Sequence, residues 1–469
     1  MPESFNGATS PDNSALLSLD EFINDPLLTS LIDQALVGNQ ELKILEQEIQ
    51  IANNEIMARR GAYLPFLSLG AQAGFDKHSA YTPIGAVEEN LTALGTPFPE
   101  PLPNFLVAAD VSWQIDIWRQ LRNARDAAML EYLGTADGRN YVVTRLAADI
   151  AENYFELLAL DNRLATLDRT IALQEQSREI AIAKKAAARG TELAVQRFQA
   201  DVRKNQSEKL IVTQEIIEVE NRINFLAGRY PQPVERRSDE FFNLRLQPLS
   251  VGVPAQLLLN RPDIRQAERE LAAAGLDVRV ARANFYPQLT LHAGVGYNAF
   301  NTRFLFVSPE SLIYNAAGDL VMPLINRAAI RAEYLNANAK QIQKVYNYQR
   351  VVLNAFTEVV NRINKVENYS TSLTLKRQQL DSLEASVDNA TKLFQNARAE
   401  YVEVLLAQRD LQEAKLDLID TKQQQLSAVV NAYQALGGGL RRYGTLPPGA
   451  VPAVPPIELL PAPEPDNAP

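Results

Sequence analysis

The sequence predicts a mainly α-helical chain, duplicated internally, with four amphipathic strands of the length a membrane β-barrel uses. Three observations carry this reading. Ala62-Tyr63-Leu64-Pro65-Phe66-Leu67-Ser68-Leu69 returns about 222 positions later as Asn284-Phe285-Tyr286-Pro287-Gln288-Leu289-Thr290-Leu291. Two long stretches keep a four-three apolar spacing, and of four strand-length runs of about ten to thirteen residues three alternate apolar with polar side chains.

Composition sets limits on function. The 469 residues have room for about three ordinary domains, but Ala, Leu, Gln, Glu and Arg dominate long stretches and favour elongated helices. With no Cys, disulfides, thiolate metal sites and a Cys nucleophile are excluded; with only His78 and His292, imidazole chemistry nearly is. No catalytic, cofactor-binding or metal-binding residues are therefore expected. A net charge of −10 disfavours nucleic acid as a partner. No run of about eighteen apolar residues exists, which rules out a membrane-spanning helix but not a spanning barrel.

In chain order, residues 1–25 form an N-terminal extended segment. Met1 to Asn13 lack a charged n-region and an apolar h-region, so the chain is expected to be either cytoplasmic or a processed form starting at an added Met. The first repeat, 26–228, holds helix A to about residue 61, strands at about 63–76 and 104–117, helix B at about 118–187 and helix C at about 191–227. In the first strand Leu67, Leu69, Ala71, Ala73 and Phe75 oppose Ser68, Gly70, Gln72 and Gly74. In the next, Phe105, Val107, Ala109, Val111 and Trp113 oppose Asp110, Ser112 and Gln114. Asp76 to Asn104, with four prolines, reads as a loop. Residues 229–260, rich in Pro and charge, read as a small mixed belt joining the repeats. The second repeat, 261–437, holds helix A to about 283, strands at about 286–299 and 311–324, helix B at about 327–396 and helix C at about 400–436. Its second strand alternates poorly and is placed by its repeat position. Residues 438–469 read as a belt segment and a disordered Pro-rich tail.

The heptad seam of the first helix B is Leu146, Ile150, Asn153, Leu157, Leu160, Leu164, Leu167 and Ile171; that of the second is Val352, Phe356, Val359, Ile363, Val366, Ser370 and Leu373. At 1.5 Å per residue helix B spans roughly 100 Å, and helices A and C laid end to end match it. Tyr63, Phe75, Phe105, Trp113, Tyr286 and Tyr297 sit near strand ends, where membrane-interface aromatics belong. A soluble sandwich with one wet face fits the alternation equally well. Four strands cannot close a barrel alone, and open edges in lipid leave backbone groups unpaired, so in a membrane several chains must pool them.

The stretch Val253-Pro254-Ala255-Gln256-Leu257-Leu258-Leu259-Asn260-Arg261-Pro262-Asp263-Ile264, with Ala283-Asn284-Phe285-Tyr286-Pro287-Gln288-Leu289, resembles the TolC-like outer-membrane efflux proteins, in their lipoprotein branch serving multidrug or metal pumps. The resemblance extends from about residue 19 to 443. It implies a homotrimer: a twelve-stranded barrel in the outer membrane of a Gram-negative bacterium, continued by a helical tunnel across the periplasm. It implies a passive exit duct for small-molecule or ion cargo in a tripartite pump, with a periplasmic adaptor and an RND-type inner-membrane pump as partners and no cofactor. That branch normally begins at a lipidated Cys after a signal peptide; this sequence has neither, so a trimmed mature form is expected. Arg189, Gly190, Thr191, Leu193, Arg398, Ala399 and Tyr401 would form tips that dock the adaptor. Val402, Glu403, Leu406, Arg409 and Asp410 would form the periplasmic gate. The family's acidic gate position is occupied here by Leu406, so apolar rings of Val402 and Leu406 would seal by dewetting. A type I protein secretion duct shares the fold, and a soluble coiled-coil scaffold would explain the heptads but not the strands.

Overall fold

The computed structural model describes residues 2, 4, 5, 12–90, 92, 93, 95–325, 327–396 and 398–439. The expected C-terminal tail lies outside them. In order come α1 (Leu19–Ile23), α2 (Pro26–Gly38), α3 (Gln40–Ala62), β1 (Phe66–Asp76), α4 (Pro83–Asn90), β2 (Thr92–Ala93), β3 (Thr96–Pro97), β4 (Leu102–Ile115), α5 (Gln120–Ala186), α6 (Glu192–Leu226), α7 (Leu257–Asn260), α8 (Pro262–Ala283), β5 (Gln288–Ala299), β6 (Leu312–Val321), α9 (Ala328–Gln395) and α10 (Tyr401–Ala435). No helix among the described residues is long and apolar enough to cross a membrane.

Three details differ from the sequence reading. Helix A of the first copy is two helices broken at Asn39. The Pro-rich loop contains α4 and the short β2–β3 pair. The linker 229–260 has no strand, only two 3-10 turns, α7 and irregular chain.

The described residues pack as two compact units that cut across the repeats: those within 1–48, 134–268 and 347–439 in one, those within 49–133 and 269–346 in the other. In the first unit the α5 seam is the core. Ile150, Leu157 and Leu167 are fully buried with Leu28 and Ile32 of α2, Val212 and Ile223 of α6, and Phe241 of the linker. Asp25 starts α2 by accepting from the Leu27 and Leu28 amides at 2.9 and 3.3 Å, with Pro26 preset at the first helical position.

The break at Asn39 has a tertiary cause. The end of α6 meets the end of α2 so closely that a Cβ on Gly38 would lie 2.2 Å from the Ala227 carbonyl oxygen. Gly228, at φ +67°, meets Gly38 in the same way. Asn39 then serves both helices: its Nδ2 donates to the Leu226 carbonyl at 2.8 Å, and its Oδ1 accepts from the Leu42 amide at 3.1 Å, starting α3. The second copy repeats the junction with Arg261 in the place of Asn39. Gly437, at φ +91°, packs on Asn260, and Arg261 Nη1 donates to the Ala435 carbonyl at 2.8 Å. Arg261 is 1% exposed and forks onto Asp263 at 3.0 and 2.7 Å, with Glu358 at 2.9 Å. Burial pulls its pKa down, but the hydrogen bonds and charges of Asp263 and Glu358 outweigh this and hold it above the usual arginine value. The Asn-Arg-Pro-Asp-Ile signature is thus a buried helix-end clamp.

In the second unit four antiparallel strands form one sheet in the order β1-β4-β5-β6. Register puts Ser68, Asp110, Gly294 and Asn315 in one row and Leu69, Ala109, Val295 and Tyr314 in the next, on opposite faces. The apolar face continues through Leu67, Val111, Ala293 and Ala316. It therefore includes β6, whose small residues hide the alternation in the sequence.

Candidate functional site

Two regions of the chain offer functional surfaces: the helical hairpin tips in the first unit and the sheet in the second.

The α5–α6 turn closes through Ala188, at φ 60°, and Gly190. The Arg189 amide donates to the Lys184 carbonyl at 2.8 Å, and Thr191 caps α6 by accepting from the Ala194 amide at 3.4 Å. Lys185 pairs with Glu192 across the turn. In the α9–α10 turn the Arg398 amide donates to the Leu393 carbonyl at 2.9 Å. The two tips pack side by side. Lys184 Nζ lies 3.4 Å from the centre of the Phe394 ring, and Phe198, Ala181 and Ala194 form a small core that Leu405 packs against. Between the tips lies a cleft of about 400 Å³ whose walls include Arg189, Gly190, Thr191, Phe394, Val404 and Gln408. Farther from the turns, buried Asn205 accepts from Gln412 of α10 at 2.9 Å and donates to Gln174 of α5 at 2.8 Å. A polar group shared by three helices fixes their register.

The predicted tip residues Arg189, Gly190, Thr191, Leu193 and Arg398 are exposed, and Ala399 is half-buried; the Tyr401 side chain lies outside the described residues. Among residues 402–410 of α10 the buried one is Val404, facing the neighbouring hairpin. Val402 is half-buried, Leu406 is 41% exposed, and Glu403, Arg409 and Asp410 are exposed, the last two 3.3 Å apart. The gate candidates thus lie outside the cleft between the tips. Sequence reasoning missed Asn205 and Val404, and assigned no role to Lys184. Only Val404 carried a signal there, as an apolar residue between Val402 and Leu406.

The sheet carries aromatics at both ends. At one end Trp113 Nε1 donates to the Tyr63 carbonyl at 3.0 Å, Trp118 Nε1 donates to the Pro287 carbonyl at 2.8 Å, and Trp118 stacks on Tyr286 at 4.8 Å. At the other lie Phe75, 74% exposed, Phe105, and Tyr297 edge-on to Phe306 at 5.6 Å. Trp113 and Phe105 are eight residues apart on β4, about 26 Å at 3.3 Å per residue, close to the apolar band of a membrane barrel. On the opposite face Asp110 Oδ1 and Asn315 Oδ1 converge over Gly294, and His292 lies 3.5 Å from Asp319. Past the end of β4, Asp116 starts α5 by accepting from the Leu121 and Arg122 amides and from Arg122 Nε, each at 3.0 Å. Burial raises its pKa, but the hydrogen bonds from Arg122 and Leu121 more than reverse this and leave it below the usual carboxylate value.

This arrangement has known counterparts. The solvent efflux pump outer membrane protein SrpC of Pseudomonas putida is 27% identical over 429 residues, covering 91% of this chain and 88% of that protein. The pyoverdine export outer membrane protein OpmQ of Pseudomonas aeruginosa is 27% identical over 419 residues, covering 88% of this chain and 85% of that protein. The open state of the MtrE outer membrane channel of Neisseria gonorrhoeae superposes with a TM-score of 0.83 at 22% identity, covering 94% of this chain and 96% of that one. Residues 31–229 and 253–438 match the family model described as outer membrane efflux protein. With both repeats covered by that match and the fold shared, the chain belongs to the outer membrane efflux protein family.

Proposed function

We propose that three copies of this chain pool their strands into a twelve-stranded outer-membrane barrel that serves as the passive exit duct of a tripartite pump. The observation that carries this reading is the four-stranded sheet with one continuous apolar face and two unpaired edges, β1 and β6. Such a sheet leaves its edges unsatisfied in lipid unless copies join β6 to β1 and close the ring. Leu69, 81% exposed, and Tyr314, 83% exposed, then face lipid, and the row of Ser68, Asp110 and Asn315 lines a wet lumen. Tyr63, Trp113 and Tyr286 mark one membrane interface, and Phe75, Phe105 and Tyr297 the other.

The α5–α6 and α9–α10 tips lie in the periplasm and receive an adaptor, through Arg189, Gly190, Thr191, Leu193, Arg398, Ala399 and Tyr401. That adaptor links them to an RND-type pump of the inner membrane. Val402 and Leu406 line the constriction, with Glu403, Arg409 and Asp410 beside them. No bond is made or broken; a small-molecule or ion cargo moves through a water-filled path instead of crossing lipid.

Ion conductance across a planar bilayer tests the proposal. Purified protein is expected to give discrete small steps that grow when Val402→Ser and Leu406→Ser are combined. Absence of steps from protein that stays soluble without detergent would contradict the duct. Steps unchanged by the substitutions would move the gate elsewhere.

A further inference from the structure

Linker residues 242–249 run over α9 and α10 and leave a cleft of about 430 Å³. Its wall brings together Arg245 from the linker, Ser370, Thr374 and Arg377 from α9, and Lys422 and Gln425 from α10, and no carboxylate lines it. Lys422 is 4% exposed. Its ammonium donates to the Leu244 carbonyl at 2.8 Å and to Gln425 Oε1 at 3.4 Å, both neutral partners. A buried ammonium is ordinarily matched by an anion, because neutral acceptors do not offset its lost hydration. Here the adjacent charges are two guanidiniums. The nearby Lys376 is already paired with Asp417 at 3.2 Å. Three cations on one concave wall, one of them buried, with hydroxyl and amide donors between them, form the recognition set for a multiply charged oxyanion.

We propose that this cleft binds a phosphoryl or sulfuryl group through Lys422, Arg377 and Arg245. The Ser370 hydroxyl and the Gln425 amide supply further donors, while the Thr374 hydroxyl donates to the Ser370 carbonyl at 3.2 Å. The cleft is roomier than a free ion needs, so the group can be inorganic or the end of a phosphomonoester. Burial, followed by the positive charges of Arg377 and Arg245, pulls the Lys422 ammonium down to about 8, which leaves it mostly protonated at neutral pH and the repulsion in force.

The test is thermal unfolding of the detergent-purified full chain at pH 7, in sodium phosphate, sodium sulfate or sodium chloride at matched ionic strength. Phosphate or sulfate, but not chloride, is expected to raise Tm by a few degrees once in large excess over its dissociation constant. Lys422→Met should lose the shift. The exposed changes Arg245→Gln and Arg377→Gln, which leave the core intact, should weaken phosphate binding at least tenfold in titration calorimetry. A larger shift with glycerol 3-phosphate than with phosphate would identify an ester as the ligand, and an equal one the free ion. No shift in the parent chain, or an equal shift in all three variants, would overturn the proposal. So would loss of the oligomer in Arg245→Gln/Arg377→Gln without any effect of phosphate, since a neighbouring copy's carboxylate would then be what fills the cleft.

Discussion

Helices α5 and α9 are one helix written twice, 67 and 68 residues long, and they are buried to different depths. Along α5, Leu146, Ile150, Asn153, Leu157, Leu160 and Leu167 are all buried. Along α9 the same heptad positions leave Phe356, Ile363 and Val366 half-buried and Ser370 exposed, with only Val359 and Leu373 fully covered. The seam is equal but its cover is not: α5 is enclosed within the chain, whereas along α9 Val366 and Ser370 open onto the linker cleft and Phe356 and Ile363 are only partly covered. In the proposed trimer a neighbouring copy covers the rest of Phe356 and Ile363.

The helix-end junctions sharpen this comparison most strongly, because one copy uses an amide where the other uses a buried ion cluster. Arg261→Met leaves Asp263 and Glu358 without their cation and is expected to cost about 3–5 kcal/mol in chemical denaturation. Asn39→Ala, which removes one cap and one helix-end bond, should cost about 1–2 kcal/mol. Equal costs would mean the two junctions do equivalent work despite their chemistry.

The seams themselves come next. Leu157→Ala opens a fully buried site and should cost about 2–5 kcal/mol. Ile363→Ala, at the equivalent position, should cost about 1 kcal/mol within a copy and show itself mainly as a lower trimer melting temperature in detergent. If both lower intramolecular stability alike, the α9 seam has no outside partner.

Much of this was legible in the sequence, and the exceptions have physical causes. Period-two alternation located β1, β4 and β5 within two or three residues at each end, because each has one face that needs apolar cover. It failed on β6, where Ala316 and Gly318 occupy apolar-face positions. Pro65 and Pro287 mark matching positions of the repeat, each one residue before a strand, but the break at Asn39 could not be read, since the approach of Gly38 to Gly228, far apart in the chain, produces it. The hairpin tips were legible as turns through Gly190. Which face of α10 is buried was not, because Val402, Val404 and Leu406 are all apolar and only the packing of α6 separates them. Lys422 carried no signal at all: a lysine among glutamines on a helix reads as solvated.

The last expected effect concerns pH. The Lys422 ammonium is held near 8 in the folded chain against 10.5 when free, so its charge opposes folding below about pH 8. That opposition is relieved as pH rises from about 8 toward 10.5. The charged groups acting on it are Arg377 from α9 and Arg245 from the linker. The parent chain should therefore gain stability relative to Lys422→Met across this window, and saturating phosphate should flatten the difference. A parallel pH profile for the two proteins would show that the ammonium is not strained.

The central claim is that the apolar face of the sheet meets lipid and the other face meets water. Because the chain has no Cys, single cysteines can be placed one at a time at Leu69, Val107, Val111 and Tyr314 and at Gln72, Asp110, Ser112 and Asn315, then probed in proteoliposomes with a water-soluble maleimide. The account predicts protection at the first four sites and labelling at the second four. Equal labelling on both faces would contradict it.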